Sequence, residues 1–487
     1  MKKNKIDLFK KKMKQNKHKD SIDIFRHLGN FFSASIFTKF IAFLSLPIFT
    51  RLLGPEGYGG VSLYLSIVGI VSIISSLGID TSIRRYYFEE DKNLVRFFKS
   101  NLFFLIMFQI IFIGFILIFS KQISYLTNIP IIIILLGSIT GILHSYKNIA
   151  LAYFQVKGLS HWVRNIALFS GISVLIVSIL LVIIMGDYFG KVYGTLIGAF
   201  LVNLILVWKV SPIKKIIEDK HFEAKLVKYS LFLGCPIVLN QLAGYVLAFF
   251  DRLAINKYYG LNDAGLYSFA YGVGMIIEVV IYSINAAWVP ILFKKLKNND
   301  ISKIQNYFKL FSKIVLFASA NIILFSRELL LLLADKRFSD ALIFIPIIVI
   351  GYMFKYLYTL YSNIEYYYKK TKMLAFFSIV AAVINIILNV IFIPWFGSIA
   401  AAYTTLFSYI LLFIMHYTYV KLKLNKSIYK LKYFGKTLIY FIIILSVYYL
   451  INTLTFSLIL SFIIKLVLIL ILLGIYAREF YIRKSII

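Results

Sequence analysis

Lysine side chains inside long apolar stretches are the residues of this chain with the clearest capacity for chemistry. Four such lysines occur, at Lys39, Lys147, Lys355 and Lys465. On insertion scales a charge at the centre of a membrane-spanning helix costs about 2.5 to 3.5 kcal/mol, so it needs a function or a partner. We predict that Lys39, Lys147 and Lys355 face a polar cavity and bind an anion. For Lys39 the alternative is a structural pair with a carboxylate, and for Lys147 and Lys355 it is a side chain that extends to the membrane interface.

Two acidic residues are candidates for coupling to an ion. Glu278 lies deepest within an apolar stretch, and an isolated carboxyl group at that depth suits reversible protonation. A permanent salt bridge between Glu278 and a neighbouring lysine is the alternative. Asp251 is the weaker candidate because it lies beside Arg252 at the predicted end of its stretch, close to the interface.

Arg84 and Arg85 follow the second apolar stretch. A guanidinium group can bind phosphate oxygens through two parallel hydrogen bonds, and we therefore include Arg85 among the predicted anion-binding residues. Basic residues also mark the cytoplasmic ends of membrane helices, so topology alone can explain the two arginines.

The sequence contains no motif of a soluble catalytic site. It has neither a phosphate-binding Walker loop nor a Gly-x-Ser-x-Gly nucleophile motif, and its six histidines are scattered. The single cysteine, Cys235, offers no metal-binding cluster. We expect no catalytic residues, no metal site, no cofactor and no enzymatic activity.

The elements that must position these charged residues are membrane helices. Fourteen hydrophobic stretches are long enough to cross a bilayer, which requires about 20 residues per helix. Hydrophobic residues make up 60% of the chain, the mean hydropathy is +0.84, and alternation typical of outer-membrane strands is absent from runs such as Ile131 to Leu136. The sequence predicts an all-α integral membrane protein with about 14 transmembrane helices.

The net charge of +32 reports orientation rather than nucleic-acid binding. If the N-terminus is cytoplasmic, the basic residues concentrate in the inner tails and loops, as the positive-inside rule requires. The segment Met1 to Asp20 alone holds nine lysines and is expected to lie against anionic lipid headgroups. Both termini are predicted to be cytoplasmic, and nucleic acid is not an expected partner.

An internal repeat indicates how the helices are organised. Gly54 to Ser62 aligns with Gly260 to Ser268 at an offset of 206, and Tyr188 to Gly190 aligns with Trp395 to Gly397 at an offset of 207. Six helices per repeat would give both halves the same orientation, with the transport site in the cleft between them. Chance recurrence of small-residue turns is the alternative.

The predicted domain organisation follows from this repeat. We expect a basic cytoplasmic tail at 1–26, an N-terminal six-helix bundle at 27–210, a basic cytoplasmic linker at 211–225, a C-terminal six-helix bundle at 226–420, and two additional transmembrane helices in 421–487. Lys147 and Lys355 are 208 positions apart, so they should occupy equivalent places on the fourth helix of each bundle.

Several segments resemble the bacterial polysaccharide flippases, the Wzx-like members of the MATE-like MOP exporter superfamily. The resemblance begins in the opening hairpin, with Arg51 to Gly59 followed by Leu77 to Asp80 and Arg84 to Tyr86. It continues over nearly the whole chain, through Asp251-Arg252, Asp263 to Ser268, Pro290, Arg327 to Leu330 and Phe338 to Ala341.

The resemblance implies two pseudo-symmetric six-helix bundles plus two C-terminal helices. It also implies translocation of undecaprenyl-diphosphate-linked oligosaccharide repeat units across the bacterial inner membrane, for O-antigen, capsule or exopolysaccharide assembly. The duplication and the buried lysines motivate the hypothesis of alternating access through a cationic central cavity. Lys39, Arg85, Lys147 and Lys355 would then bind the substrate. Glu278 and Asp251 would couple its movement to a proton or sodium ion. Membrane lipid and a polysaccharide polymerase are the other expected partners.

Three other functions remain open from the sequence. A peptidoglycan-precursor lipid flippase and a small-molecule or multidrug exporter of the same superfamily share the expected fold, which alone does not determine substrate. An integral-membrane glycan polymerase fits less well, because the longest outer connection, about Arg327 to Asp340, is largely apolar and leaves little room for an active site.

Overall fold

The computed structural model describes residues 2–89, 94–209, 222–424, 428–453 and 458–484, without side chains for 2–28 and some other helical positions. Most of the predicted linker 211–225, and the side chains of the predicted tail 1–26, lie outside the described residues. Throughout the described ranges the secondary structure is helical, and no strand occurs in them. The predicted all-α class is therefore confirmed.

The helices follow the apolar stretches of the sequence. In the first half of the chain they are α1 (Lys2–Ser76), α2 (Ile79–Glu89), α3 (Leu94–Thr127), α4 (Ile131–Val156), α5 (Ser160–Met185) and α6 (Phe189–Lys209). The second half contains α7 (Ala224–Lys297), α8 (Ile301–Leu324), α9 (Ser326–Leu333), a 3₁₀ helix (Lys336–Ile343), α10 (Phe344–Tyr367), α11 (Thr371–Phe396), α12 (Ile399–Thr418), a π-helical turn (Tyr419–Lys423), α13 (Lys432–Thr453) and α14 (Leu458–Lys484).

The two longest helices are each interrupted by a glycine. Gly54 in α1 has φ 65° and ψ −176°, and Gly260 in α7 has φ 83° and ψ −176°. A positive φ is sterically open to glycine and unfavourable for other residues. The kinks stand 206 residues apart, at the offset of the sequence repeat, and each separates two of the predicted membrane spans.

Eleven helices within the described residues are long and apolar enough to cross a membrane. The number is below fourteen because Phe37–Glu89 and Ala224–Lys297 each join two predicted spans across a kink, and because α14 contributes only Leu460–Ile471 to the described residues that meet this criterion of hydropathy. The chain is thus a multi-pass integral membrane protein, as its sequence predicts.

The chain divides into two compact units. The first comprises Met1–Leu53 and Leu63–Leu242, and the second comprises Gly54–Ser62 and Ala243–Ile487. Helix α7 contributes to both. The domain boundaries drawn from the sequence remain a prediction.

Each unit has its own apolar core. In the first unit, Ile83, Phe97 and Leu105 belong to one cluster joining α2, α3 and α4. In the second unit, Leu247 of α7 and Ala381 of α11 share a cluster with residues of α12. These packed helices hold the polar side chains described next.

Candidate functional site

The segments after the two glycine kinks cross at very close range in the second unit. A β-carbon added to Gly59 would lie 2.0 Å from the carbonyl oxygen of Leu261, and one added to Gly265 would lie 1.8 Å from that of Pro55. Gly59 and Gly265, like Pro55 and Leu261, are 206 residues apart, so the contact is reciprocal. Only glycine permits this approach of the two backbones.

Asp251 is held by a hydrogen-bonded network in the core of the second unit. Its side chain is 0% exposed, and its carboxylate accepts hydrogen bonds from Tyr267 Oη at 2.5 Å, Asn389 Nδ2 at 2.7 Å and Thr405 Oγ1 at 2.6 Å. A buried carboxylate needs such partners to offset its lost hydration. The sequence places Asp251 near the end of a membrane span, and the structure shows that protein surrounds its side chain completely.

Two asparagines of α11 extend the network. Asn389 Nδ2 donates to Asn385 Oδ1 at 3.2 Å, Asn385 Nδ2 donates to Thr405 Oγ1 at 3.3 Å, and Thr404 donates to Asn389 Oδ1. These asparagines therefore join α11 to α12 and to Asp251.

The atoms around Asp251 suit a hard monovalent cation or a proton. The Asp251 carboxylate and the hydroxyl groups of Tyr267 and Thr405 converge there, and oxygen ligands are the ones that hard cations prefer. The described residues contain no group of three or more His, Cys, Asp or Glu side chains that could hold a metal ion. The site thus lacks the ligand set of a transition metal.

Arg252 follows Asp251 but has its own partners. Its guanidinium is buried and lies over the rings of Phe249 and Tyr271, at 4.6 Å and 4.7 Å from their centroids. Its Nε donates to Ser268 Oγ at 3.1 Å. Cation–π contacts of this kind stabilise a desolvated arginine. The hydrogen bonds to the Asp251 carboxylate come instead from the uncharged side chains of Tyr267, Asn389 and Thr405.

Glu278 and Lys355, one predicted coupling residue and one predicted substrate-binding residue, form an ion pair. Lys355 Nζ lies 2.7 Å from Glu278 Oε1, and Tyr352 Oη donates to Glu278 Oε2 at 3.3 Å. The lysine and glutamate side chains are 20% and 37% exposed. The salt bridge that the sequence left as an alternative for Glu278 is therefore present, with a lysine from the middle of α10.

Tyrosines connect this ion pair with the Asp251 network. Tyr271 and Tyr409 hydroxyls are 3.3 Å apart, and Lys355 Nζ lies 5.8 Å from the centroid of the Tyr409 ring. Tyr271 is one helical turn after Tyr267, which binds Asp251, and their rings are 5.9 Å apart. Sequence reasoning missed Tyr267, Tyr271 and Tyr409, although the spacing of the first two already places them on one face of a helix.

In the first unit, Lys147 is partly exposed. Among the described residues no carboxylate lies within ion-pair distance of it. The position that corresponds to Glu278 at the repeat offset is Ser72, so the first repeat lacks the counter-ion that neutralises Lys355. Lys39 is half-buried in α1.

Sequence reasoning missed Lys191 of the first unit, which is 9% exposed. Its ammonium group lies 4.2 Å from the centroid of the Phe49 ring.

Arg85 belongs to an exposed polar chain on the first unit. Its Nε lies 2.5 Å from Glu89 Oε1, and Glu89 Oε2 accepts a hydrogen bond from Tyr229 Oη at 2.7 Å. Nearby, Ser82 Oγ donates to the carbonyl oxygen of Ser230 at 3.0 Å. Glu89 therefore links the end of α2 to the beginning of α7, and Arg85 is its ion-pair partner on the same helix. The other predicted substrate-binding residues lie elsewhere along the chain.

This chain resembles known proteins both in sequence and in fold. Residues 26–296 match the family model described as polysaccharide biosynthesis protein, and residues 236–391 match the MatE family model. Lsg locus putative protein 1 of Haemophilus influenzae is 23% identical over 360 residues, covering 72% of this chain and 86% of that protein. The probable low-salt glycan biosynthesis flippase Agl15 of Haloferax volcanii is 22% identical over 414 residues, covering 82% and 84%.

A solved structure resembles the fold over nearly its full length. The structure of the lipid II flippase MurJ in an inward closed conformation aligns with a TM-score of 0.71 at 16% sequence identity. The alignment covers 92% of this chain and 98% of that one. At this level of identity the likeness establishes the helical architecture, while function must be argued from the side chains.

Proposed function

This chain belongs to the polysaccharide biosynthesis protein family, and on that premise we propose that it moves undecaprenyl-diphosphate-linked oligosaccharide repeat units across the bacterial inner membrane. The family match, which spans residues 26–296, is the observation that carries the proposal. The products would be repeat units for O-antigen, capsule or exopolysaccharide assembly. A polysaccharide polymerase would then receive them on the outer side.

The substrate's diphosphate requires cations within the membrane, because an unpaired anion in hydrocarbon is very costly. Lys147 supports the proposal most directly, as a lysine in a membrane-spanning helix with no carboxylate in ion-pair distance among the described residues. Its charge is available to an anionic ligand. Lys39 and Arg85 are the further proposed contacts of the first unit.

Lys355 would bind phosphate by exchange of partners. In the present structure its ammonium group is neutralised by Glu278 at 2.7 Å. A proton taken up by the Glu278 carboxylate, or a phosphate oxygen that replaces that carboxylate, would free Lys355 for the substrate. Protonation of Glu278 and substrate binding would thus favour one another, which is the thermodynamic requirement for coupling the two.

Asp251 is the second proposed coupling residue, and its surroundings favour sodium or a proton. Its three hydrogen-bond donors, from Tyr267, Asn389 and Thr405, can each rotate to present an oxygen to a bound cation. A cation there would neutralise the buried carboxylate and tighten α7, α11 and α12 around it. Alternating access through a cationic cavity would then follow the gradient of that ion.

A peptidoglycan-precursor flippase is the second candidate function. The likeness to MurJ over 98% of that chain favours it, and its substrate would present the same diphosphate to the same lysines. A small-molecule exporter is the third candidate, in keeping with the MatE match at residues 236–391.

Transport by the purified protein distinguishes these candidates. Proteoliposomes should be loaded in parallel with a labelled undecaprenyl-diphosphate oligosaccharide, with lipid II, and with a cationic drug, in the presence and absence of sodium and proton gradients. We expect protein-dependent movement of the oligosaccharide, faster than that of lipid II. Faster movement of lipid II would favour the second function, and movement of the drug alone would contradict the proposal.

A further inference from the structure

A small basic cavity lies in the second unit, where α10 and α12 end and α13 begins. Its volume is about 260 Å³, and three tyrosines and three lysines contribute to its lining: Tyr361, Tyr417, Tyr429, Lys421, Lys430 and Lys432. We call this space the basic cavity. None of its lining residues belongs to the proposed transport site.

The Tyr361 hydroxyl is a buried polar group without a hydrogen-bond partner among the described residues. The side chain is 2% exposed, and its oxygen makes no hydrogen bond within the described part of the chain. Its ring is held edge-on by Tyr417 and Tyr429, with centroids 5.5 Å and 5.4 Å away. A buried hydroxyl without a hydrogen-bond partner destabilises the folded state, so a bound ligand that accepts its hydrogen bond would remove that cost.

The lysines of the basic cavity carry uncompensated charge. Lys421 Nζ lies 3.0 Å from Tyr417 Oη, while Lys430 and Lys432 are exposed. No carboxylate lines the cavity, and no ion pair involves these three lysines among the described residues. The cavity therefore concentrates positive charge and hydrogen-bond donors around an empty volume.

We propose that the basic cavity binds the phosphate group of an anionic ligand. Lysine ammonium groups are donors without acceptor capacity, and a tyrosine hydroxyl can donate as well, so the lining matches the oxygen acceptors of a phosphate. The cavity lies at the ends of apolar helices, which is the level of lipid headgroups. A phosphate-bearing headgroup and free inorganic phosphate share this chemistry, and the two sources are separated by experiment.

Trp288 provides a reporter for the basic cavity. Its Nε1 donates to Tyr429 Oη at 3.4 Å, so a ligand that contacts Tyr429 should alter Trp288 emission. Replacing Trp162, Trp208 and Trp395 by Phe would leave Trp288 as the single tryptophan of the full-length chain. This protein would be placed in phosphatidylcholine nanodiscs and titrated with inorganic phosphate, or placed in nanodiscs with increasing phosphatidylglycerol and no phosphate buffer.

The expected result is a saturable change of Trp288 emission in at least one of the two titrations. A response to phosphatidylglycerol alone identifies a lipid headgroup as the ligand, and a response to inorganic phosphate identifies the free anion. Bound phosphatidylglycerol counted by native mass spectrometry gives an independent measure. Failure of both probes to bind would overturn the proposal.

Matched variants separate a specific cavity from general surface charge. The triple substitution K421A/K430A/K432A should weaken binding on the order of tenfold or more, since each lysine contributes electrostatic attraction to an anionic group. The control K294A/K297A/K372A removes the same charge from three exposed lysines that do not line the cavity and should bind as the parent does. Equal loss in both triple variants would contradict a specific site.

Tyr361→Phe tests the buried hydroxyl without changing charge. Because that hydroxyl has no partner in the described protein, its removal should leave thermal stability unchanged or raised in phosphate-free, phosphatidylcholine-only nanodiscs. The same substitution should weaken binding of the phosphate-bearing probe several-fold. Unchanged affinity in Tyr361→Phe would show that the hydroxyl does not face the ligand and would refute the proposed geometry.

Discussion

Ser62 and Ser268, which are 206 residues apart in the sequence, share a hydrogen bond 2.7 Å long between their side-chain oxygens. A residue that meets its own counterpart in an internal repeat lies at a local two-fold axis. The glycine kinks at Gly54 and Gly260 and the reciprocal contacts of Gly59 and Gly265 obey the same relation. The duplicated segments after the two kinks thus pack on one another in a symmetric pair inside the second unit.

Substitution at this crossing should destabilise the fold. In Gly265→Ala the new methyl group would lie 1.8 Å from the carbonyl oxygen of Pro55, and overpacking of this kind typically costs about 1 to 3 kcal/mol. Gly244→Ala is the control, because no atom lies within 4 Å of the added carbon. Thermal unfolding in detergent should show a lower Tm for Gly265→Ala alone. Equal Tm values would contradict the close crossing.

Asp251→Asn should remove the response of the protein to its coupling ion. The amide keeps the size of the carboxyl group but not its charge, and a cation bound only by the folded state raises stability with concentration. We expect sodium to raise the Tm of the parent protein and not that of Asp251→Asn. Asp263→Asn, which alters another acidic residue of the second unit, bonded to Ser398 at 2.8 Å, should keep the sodium response.

Two other results of that titration are informative. If Asp251→Asn responds to sodium as the parent does, the cation site is elsewhere. If neither protein responds to sodium but proton gradients drive transport only in the parent, Asp251 carries a proton.

The Glu278–Lys355 pair should contribute to stability and to transport in separable ways. Either Glu278→Gln or Lys355→Met leaves one partly buried charge without its partner, whereas the double variant leaves none. A double-mutant cycle of unfolding free energies should give a stabilising coupling of about 1 kcal/mol. The double variant should recover stability and remain inactive in transport. Full transport by the double variant would exclude a role for the pair in substrate movement.

Lys465 should behave as a structural residue. It is 1% exposed and contacts both carboxylate oxygens of Glu328, at 2.8 Å and 3.0 Å. Lys465→Met alone leaves Glu328 unpaired and should lower the Tm, while Lys465→Met combined with Glu328→Gln should restore both Tm and transport. Transport that stays absent in a stable double variant would indicate a direct role for Lys465.

The architecture could be predicted from the sequence because membrane helices are recognisable by their length and hydropathy. The internal repeat was recognisable because turn residues such as Gly54 and Gly260 occur at the same offset in both halves. The sequence also singled out Asp251, Glu278 and Lys355 as charged residues within or at the end of apolar stretches. Their partners were beyond its reach, because the contacts of Asp251 with Asn389 and Thr405 span 138 and 154 residues. Such long-range contacts depend on helix packing that a hydropathy pattern does not specify.

Lys191 shows a second limit of the sequence. It stands near the start of α6, where a lysine is expected to reach the interface, yet its ammonium group lies over the ring of Phe49 instead. The orientation of a lysine near a helix end depends on which neighbour covers it. That neighbour is fixed only by the tertiary structure.

The central claim is that Lys147, which has no counter-ion among the described residues, helps to carry a diphosphate-linked glycan across the membrane. It is tested most directly by Lys147→Ala. Movement of a labelled undecaprenyl-diphosphate oligosaccharide would be measured in proteoliposomes that contain the parent protein, Lys147→Ala, or the exposed-residue control Lys372→Ala. The account predicts transport by the parent and by Lys372→Ala, and on the order of tenfold slower transport by a stably folded Lys147→Ala, as expected for loss of about 1.4 kcal/mol. Equal rates in all three proteins, or no movement by a folded parent, would contradict it.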